Sequence, residues 1–155
     1  MLRVVTVSTL EQMHAALAIR RKVFIEEQRV PEAMEIDEHD GDPQAVTTAV
    51  HVIVMLGDAP VATGRLLFAH DNGPAHIGRI AVLAEHRRAG HGRAVMQALH
   101  AVASEAGIHD ITLAAQLHAI EFYERLGYRL RGGEVFLDAG IEHQWMDIRL
   151  TPGSH

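Results

Sequence analysis

One stretch constrains this chain more than any other. The β-branched run Ile77-Gly78-Arg79-Ile80-Ala81-Val82 leads into Arg87-Arg88-Ala89-Gly90-His91-Gly92-Arg93, and after Gly90 the residues Val95, Leu99, Val102 and Ala106 recur at helical spacing. Strand, glycine loop and helix in that order form an anion-binding plan. Successive backbone N–H groups point inward, the helix N-terminus adds partial positive charge, and glycines admit close approach of phosphate oxygens. Arg87, Arg88 and Arg93 add charge to a chain whose formal net charge is −6. The loop lacks the Gly-Lys-Ser/Thr of a Walker A motif and is not a dinucleotide GxGxxG, so a different phosphate ligand is implied. The alternative for this segment alone is a glycine-containing turn with solvated arginines.

The rest of the chain reads around that unit. Arg3 to Val7 is a short strand, and Ser8 with Glu11 makes a capping box ahead of Leu10, Met13, Leu17 and Phe24, predicting a long amphipathic helix to about Gln28. Arg29 to Gln44, with two prolines, Gly41 and an acidic cluster (Glu32, Glu35, Asp37, Glu38, Asp40, Asp42), reads as a loop or short turn, mobile or facing substrate. Thr47 to Leu56, Val61 to Phe68 and Ile77 to Leu83 form an antiparallel meander with turns at Gly57-Asp58 and at Asp71 to Pro74. The helix after Gly90 stops at Gly107, and Ile111 to Ala115 is a further strand. A short helix from about Leu117 to Leu126 ends at Gly127. Two final strands are expected, one from Tyr128 to Leu130 extending toward Phe136 and one from His143 to Leu150. No repeat or linker interrupts the chain. Residues 1–150 are read as one α/β domain and 151–155 as an unstructured tail.

Composition narrows the chemistry. At 155 residues, a single domain buries roughly two thirds of the surface of its unfolded chain. The absence of cysteine excludes thiol nucleophiles, thiolate zinc sites and disulfides, and fits a reducing cytoplasm. No signal-like N-terminus and no apolar run of the roughly 20 residues that span a bilayer are present, so a cytoplasmic protein without membrane contact is expected. The acidic balance argues against a nucleic-acid partner. The 12 histidines form no tight ligand cluster, and no metal is expected.

Arg87-x-x-Gly90-x-Gly92 resembles the Q/R-x-x-G-x-G/A loop of the GNAT superfamily of acetyltransferases. The segment from Gln116 through Ala119, Phe122, Tyr123 and Gly127 to Tyr128 resembles that family's second motif, N-x-x-A-x-x-F/L-Y-x-x-x-G-F/Y, with Gln116 in place of asparagine. The resemblance implies a mixed, mostly antiparallel sheet splayed after its fourth strand and flanked by helices, with acetyl-CoA in the cleft. It implies that backbone groups of Ile80, Ala81 and Val82 bond the pantetheine. The amides of Arg88, Ala89, Gly90, His91, Gly92 and Arg93 would take the pyrophosphate, behind Arg87, with Gln116 and Tyr123 also at the cofactor.

The expected reaction is transfer of acetyl to a primary amine by direct attack in a ternary complex, since no cysteine can carry an acyl intermediate. Tyr123, with an unperturbed phenol pKa of about 10, would protonate the departing thiolate; the alternative is that it packs beside Phe122. A base must take the amine's proton. Glu27, Glu35, Asp37, Asp40, Glu142 and His143 are candidates, with His143 and Glu27 first. The Val82 N–H is the expected oxyanion donor.

Arg20-Arg21-Lys22-Val23-Phe24-Ile25-Glu26-Glu27-Gln28, followed by Glu35-Ile36-Asp37-Glu38-His39-Asp40, is similar to an R-x-x-V-F-x-x-E-Q…E-x-D-x-x-D pattern of a bacterial GNAT subgroup and to the acidic signature of acyl-homoserine-lactone synthases. Arg20 or Arg21, together with Arg65, is expected to pair with Asp37 and Asp40, the alternative being that these carboxylates face a cationic amine. Two other activities stay open, a homoserine-lactone-synthase-like acyltransferase and an acyl-CoA sensor without turnover. The amine acceptor is unspecified, and the oligomeric state is open, a homodimer being common in the superfamily.

Overall fold

Thr9 rather than Ser8 starts the first helix. Its backbone is extended (φ −124°, ψ 158°), its hydroxyl accepts from the Gln12 amide at 3.1 Å, and the Gln12 side chain returns to the Thr9 amide at 3.2 Å. The capping box is therefore Thr9–Gln12, one residue later than Ser8–Glu11, because the Gln12 carboxamide also reaches the Ser8 amide at 2.7 Å and ties down the approach. That shift turns Met13, Ala16, Ile19 and Arg20 inward and leaves Leu10 half exposed.

The computed structural model describes residues 1–69, 71 and 73–151. Strand β1 (Leu2–Thr6) precedes helix α1 (Leu10–Arg20), which runs on as a π-helical stretch, Arg21–Glu27. Helix α2 (Glu32–Glu35) and a 3₁₀ turn (Glu38–Asp40) lead to β2 (Ala49–Leu56), β3 (Ala59–Leu67) and β4 (Ala75–Val82). Helix α3 (His91–Glu105), β5 (Asp110–Gln116), α4 (Ile120–Arg125), β6 (Arg129–Leu130), β7 (Phe136–Asp138) and β8 (Ile141–Arg149) complete the order. The expected turn at Asp71 to Pro74 includes Asn72, and the expected tail includes 152–155, both outside the described residues.

One sheet holds all eight strands in the order β1-β2-β3-β4-β5-β8-β6, with β7 also on β8. Alternation along β2 feeds two cores: Val52 and Val54 pack with Leu66, Val95, Leu99 and Met146 under α3, while Ile53 packs with Met13, Ile19 and Phe24 under α1. The mixed, mostly antiparallel sheet between helices is the architecture expected from the sequence. Among the described residues, no helix is long and apolar enough to cross a membrane.

Two features of β4 open the sheet. Among the described residues only the β4–β5 pair is parallel, and it pairs only Ala75 with Ile111 and His76 with Thr112. Beyond those residues β4 carries a bulge: Thr63 pairs with Ala81 and Arg65 with Gly78, so Arg79 and Ile80 together oppose Gly64. Arg79 takes a left-handed φ of 56° there. An extra residue bends the bulged strand and raises its twist, and β4 turns away from β5 at this point.

Two local readings change. The strand expected to extend from Tyr128 toward Phe136 is two separate short strands, because Gly132 at φ 89° breaks the run; β6 and β7 each pair with β8 on their own. A tight turn joins β7 to β8, with Ala139 at φ 52° and Gly140 at φ 80°, the signs that a right-handed hairpin twist favours. The acidic segment from Arg29 to Gln44 is anchored rather than loose. Glu35 and Asp40 are buried, each bonded to Arg20.

Candidate active site

Where β4 and β5 part, a cleft of ≈ 990 Å³ runs between them. Glu27, Ile80, Ala81, Val82, Arg87, Arg88, Gly90, His91, Gly92, Arg93, Gln116, Tyr123 and His143 all line it. Of the expected site residues, only Ala89 is absent from its wall. Among the other base candidates Glu35 lines the cleft, whereas Asp37, Asp40 and Glu142 do not.

The loop is built to meet an anion. Arg88 at φ 65° and Gly90 at φ 84° both lie in the left-handed region, and α3 begins directly after Gly90 with no side-chain cap. Its first backbone bond joins Ala94 N–H to the Gly90 carbonyl at 3.0 Å. The amides of His91, Gly92 and Arg93 therefore precede any intrahelical partner, and those of Arg88, Ala89 and Gly90 make no backbone bond among the described residues. A Cβ on Gly92 would sit 3.4 Å from the Phe122 ring, so a bare backbone lets the α3 terminus close on α4. Free amides, a helix N-terminus and the side chains of Arg88 and Arg93 fit a diphosphate. The His91 ring is buried with its Nδ1 unpartnered.

Arg87 does different work from its neighbours. Its Nε donates to the Val82 carbonyl at 3.0 Å and its Nη2 donates to both Glu27 oxygens at 2.9 Å. It fastens the loop to the end of β4 and to the π-helical stretch. Glu27, expected as a base, thus has both oxygens engaged. Gln116 is likewise engaged, donating to the Gln28 side chain at 2.9 Å and accepting from it at 3.4 Å.

Tyr123 and His143 are differently placed. The Tyr123 hydroxyl makes no hydrogen bond among the described residues, and its ring packs edge-on against Phe122 at 5.0 Å and Tyr128 at 5.8 Å. Burial pushes its phenol pKa well above the ordinary value. Tyr128 is raised as well, by burial and by Tyr123, and its hydroxyl is taken by His100 Nε2 at 2.7 Å. His143 Nδ1 lies 2.7 Å from the Ile141 carbonyl. A carbonyl only accepts, so Nδ1 carries a proton and Nε2 is the ring nitrogen left to take part in proton transfer. Phe136 stacks on the same ring at 5.8 Å and holds its plane.

Sequence reasoning passed over Arg79. Its bulged backbone orients a guanidinium that lines the cleft, with Nε 3.1 Å from Glu35 and Nη2 3.6 Å from Asp37. An arginine within an apolar strand carries no sign of a bulge. The pairing expected of Arg20 and Arg65 is present: Arg20 bonds Asp40 at 2.6 Å and Glu35 at 2.9 Å, and Arg65 bonds Asp37 at 2.8 Å and Asp40 at 3.1 Å. Arg21 pairs instead with Glu32 on the surface.

Comparison with known proteins agrees with this geometry. The family model described as an acetyltransferase (GNAT) domain matches residues 9–150. The uncharacterised N-acetyltransferase YjcF of Bacillus subtilis is 39% identical over 136 residues, covering 88% of this chain and 91% of that protein. The crystal structure of Escherichia coli ElaA superposes with a TM-score of 0.81 at 27% identity, over 96% of this chain and 100% of that one. An acyl-CoA N-acyltransferase of Pseudomonas aeruginosa superposes with a TM-score of 0.75 at 26% identity, over 96% and 99% of the two chains. Sequence, fold and the splayed cleft agree, and the chain belongs to the GNAT acetyltransferases, enzymes that move an acyl group from acyl-CoA to nitrogen.

Proposed function

We propose that this protein transfers acetyl from acetyl-CoA to a primary amine by direct attack, with both substrates in the cleft at once. The observation that carries the reading is the convergence, on one cleft, of the unpartnered loop amides, the splayed edge of β4, Tyr123 and His143. The amides of Arg88 to Arg93 take the pyrophosphate, and β4 from Ile80 to Val82 offers backbone groups to the pantetheine. Acetyl-CoA supplies an activated thioester. His143 Nε2 accepts the amine's proton as the N–C bond forms and the C–S bond breaks. Because burial raises its pKa, Tyr123 is a weak acid but a lasting hydrogen-bond donor, and it stabilises the sulfur as negative charge develops there. CoA leaves as the thiolate, its charge matched by the proton on His143, and return of that proton to sulfur gives the thiol and the neutral imidazole. No step calls for a metal.

Isothermal titration with acetyl-CoA and desulfo-CoA tests the cofactor half. Wild type is expected to bind both, and Gly90→Asp, which places a carboxylate among the phosphate-facing amides, is expected to bind neither while a melt checks that it folds. No binding by wild type would overturn the reading.

A further inference from the structure

Each carboxylate that the acidic segment turns toward the sheet is shared by two guanidiniums. Glu35 lies 2.9 Å from Arg20 and 3.1 Å from Arg79; Asp40 lies 2.6 Å from Arg20 and 3.1 Å from Arg65; Asp37 lies 2.8 Å from Arg65 and 3.6 Å from Arg79. Each of the three carboxylates is held by two guanidiniums, so none is left unpaired to meet a cationic acceptor. Arg20 and Arg65 are buried, whereas the Arg79 side chain is 24% exposed and lines the cleft. Its hydrogen bonds leave through Nε to the Glu35 carbonyl at 3.2 Å and through Nη2 to the Met34 carbonyl at 3.4 Å; Nη1 makes none among the described residues.

The opposite leaf has the opposite character. Asp138 on β7 and His143 on β8 line the same cleft, and Asp138 makes no ion pair among the described residues. His76 lies at the floor where β4 and β5 part and lines the same cleft. Burial lowers its pKa first, Arg65, Arg79 and Arg131 lower it further, and Asp138 opposes them.

We infer that the acceptor is a free amino acid, its carboxylate held by Arg79 and its amine turned toward Asp138 and His143. This rests on the acetyltransferase reading above and names its substrate class. Nη1, the one guanidinium nitrogen of Arg79 without a partner among the described residues, can donate a charge-assisted hydrogen bond to a carboxylate oxygen. Arg79 stands two residues before Ala81 on the same strand, and both residues line the cleft. The bulge is the device that puts the guanidinium there, since bulges re-aim side chains beside active sites.

The test pairs each amino acid with the amine that lacks its carboxylate: lysine with cadaverine, phenylalanine with phenethylamine, histidine with histamine. Wild type is expected to favour the amino acid of at least one pair by roughly 10- to 100-fold in kcat/KM, the range of a charge-assisted hydrogen bond. Arg79→Gln is expected to erase that preference through KM, with acetyl-CoA affinity within about twofold of wild type, and Arg79→Lys to keep part of it. The wild-type comparison needs no variant to fold. Equal or better use of the amines lacking a carboxylate, a preference unchanged in Arg79→Gln, or acetyl-CoA binding with no amino acid acetylated would each overturn the inference and leave the cofactor site standing. Absence of acetyl-CoA binding would overturn the underlying reading as well.

Discussion

The Arg20 guanidinium grips the Asp40 carboxylate at both oxygens, 2.6 Å from Nη1 and 3.0 Å from Nη2, with both side chains sealed from solvent. This pair ties α1 to the 3₁₀ turn before β2, and Arg65 extends the tie to β3. Asp40→Ala leaves two guanidiniums facing one empty position. It is expected to lower unfolding free energy by about 3–5 kcal/mol, because breaking a buried pair strands its partner. Urea denaturation of both proteins measures the difference, and a loss below about 1 kcal/mol would show that the network is solvated.

Stability should fall with pH in two stages. Burial lowers the pKa of His51, His76 and His100 below 6.5, so between the folded and unfolded values the unfolded chain binds more protons. Their contribution is complete above 6.5 and is lost as pH falls through the folded values. Asp37 and Asp40 form the second stage. Burial raises each, but hydrogen bonds and charge from Arg65 and Arg20 outweigh it, so their contribution holds above 3.8 and is lost below. Thermal melts should give a Tm that declines from pH 7 to 5 and again below 4. His100→Gln should flatten the first decline; a Tm constant from pH 7 to 5 would refute the histidine stage.

Gly64 is a packing requirement. A Cβ there would lie 2.5 Å from Val95 Cγ1 and 2.6 Å from Ile80 Cδ1, within the seam where α3 meets the bulge. Gly64→Ala is expected to destabilise by about 1–3 kcal/mol through overpacking and to weaken acetyl-CoA binding, since Ile80 cannot move without disturbing β4. A chemical melt and a titration on the same sample report both effects; an unchanged melt would mean that the seam relaxes freely.

Tyr123→Phe removes a hydroxyl that makes no hydrogen bond among the described residues, so fold and acetyl-CoA affinity should be preserved. If the phenol stabilises the leaving sulfur, kcat should fall by roughly 100-fold. Full activity in Tyr123→Phe would leave Tyr123 as packing beside Phe122 and Tyr128.

The Arg87-x-x-Gly90-x-Gly92 loop was legible because its demands are local: Gly90 supplies a left-handed φ, Gly92 a close approach, and α3 follows at once. The β6–β7 break was missed although Gly132, Gly133 and the Asp138-Ala139-Gly140 turn stand in the sequence, because short apolar runs on either side masked them.

Arg87 and Arg79 mark the boundary of what the sequence alone can say. Periodicity, glycine placement and the two motifs determined by themselves the order of the main strands and helices, the strand–glycine loop–helix unit and the short helix that carries Tyr123, since each depends on residues a few positions apart. That Arg87 pairs with Glu27, that Gln116 pairs with Gln28, and that Arg79 rises from a bulge beside the cleft were decided by tertiary structure. Partners that lie 60 and 88 residues apart meet only when the sheet and helices have packed, and charge pairing follows distance in space, on which sequence spacing is silent.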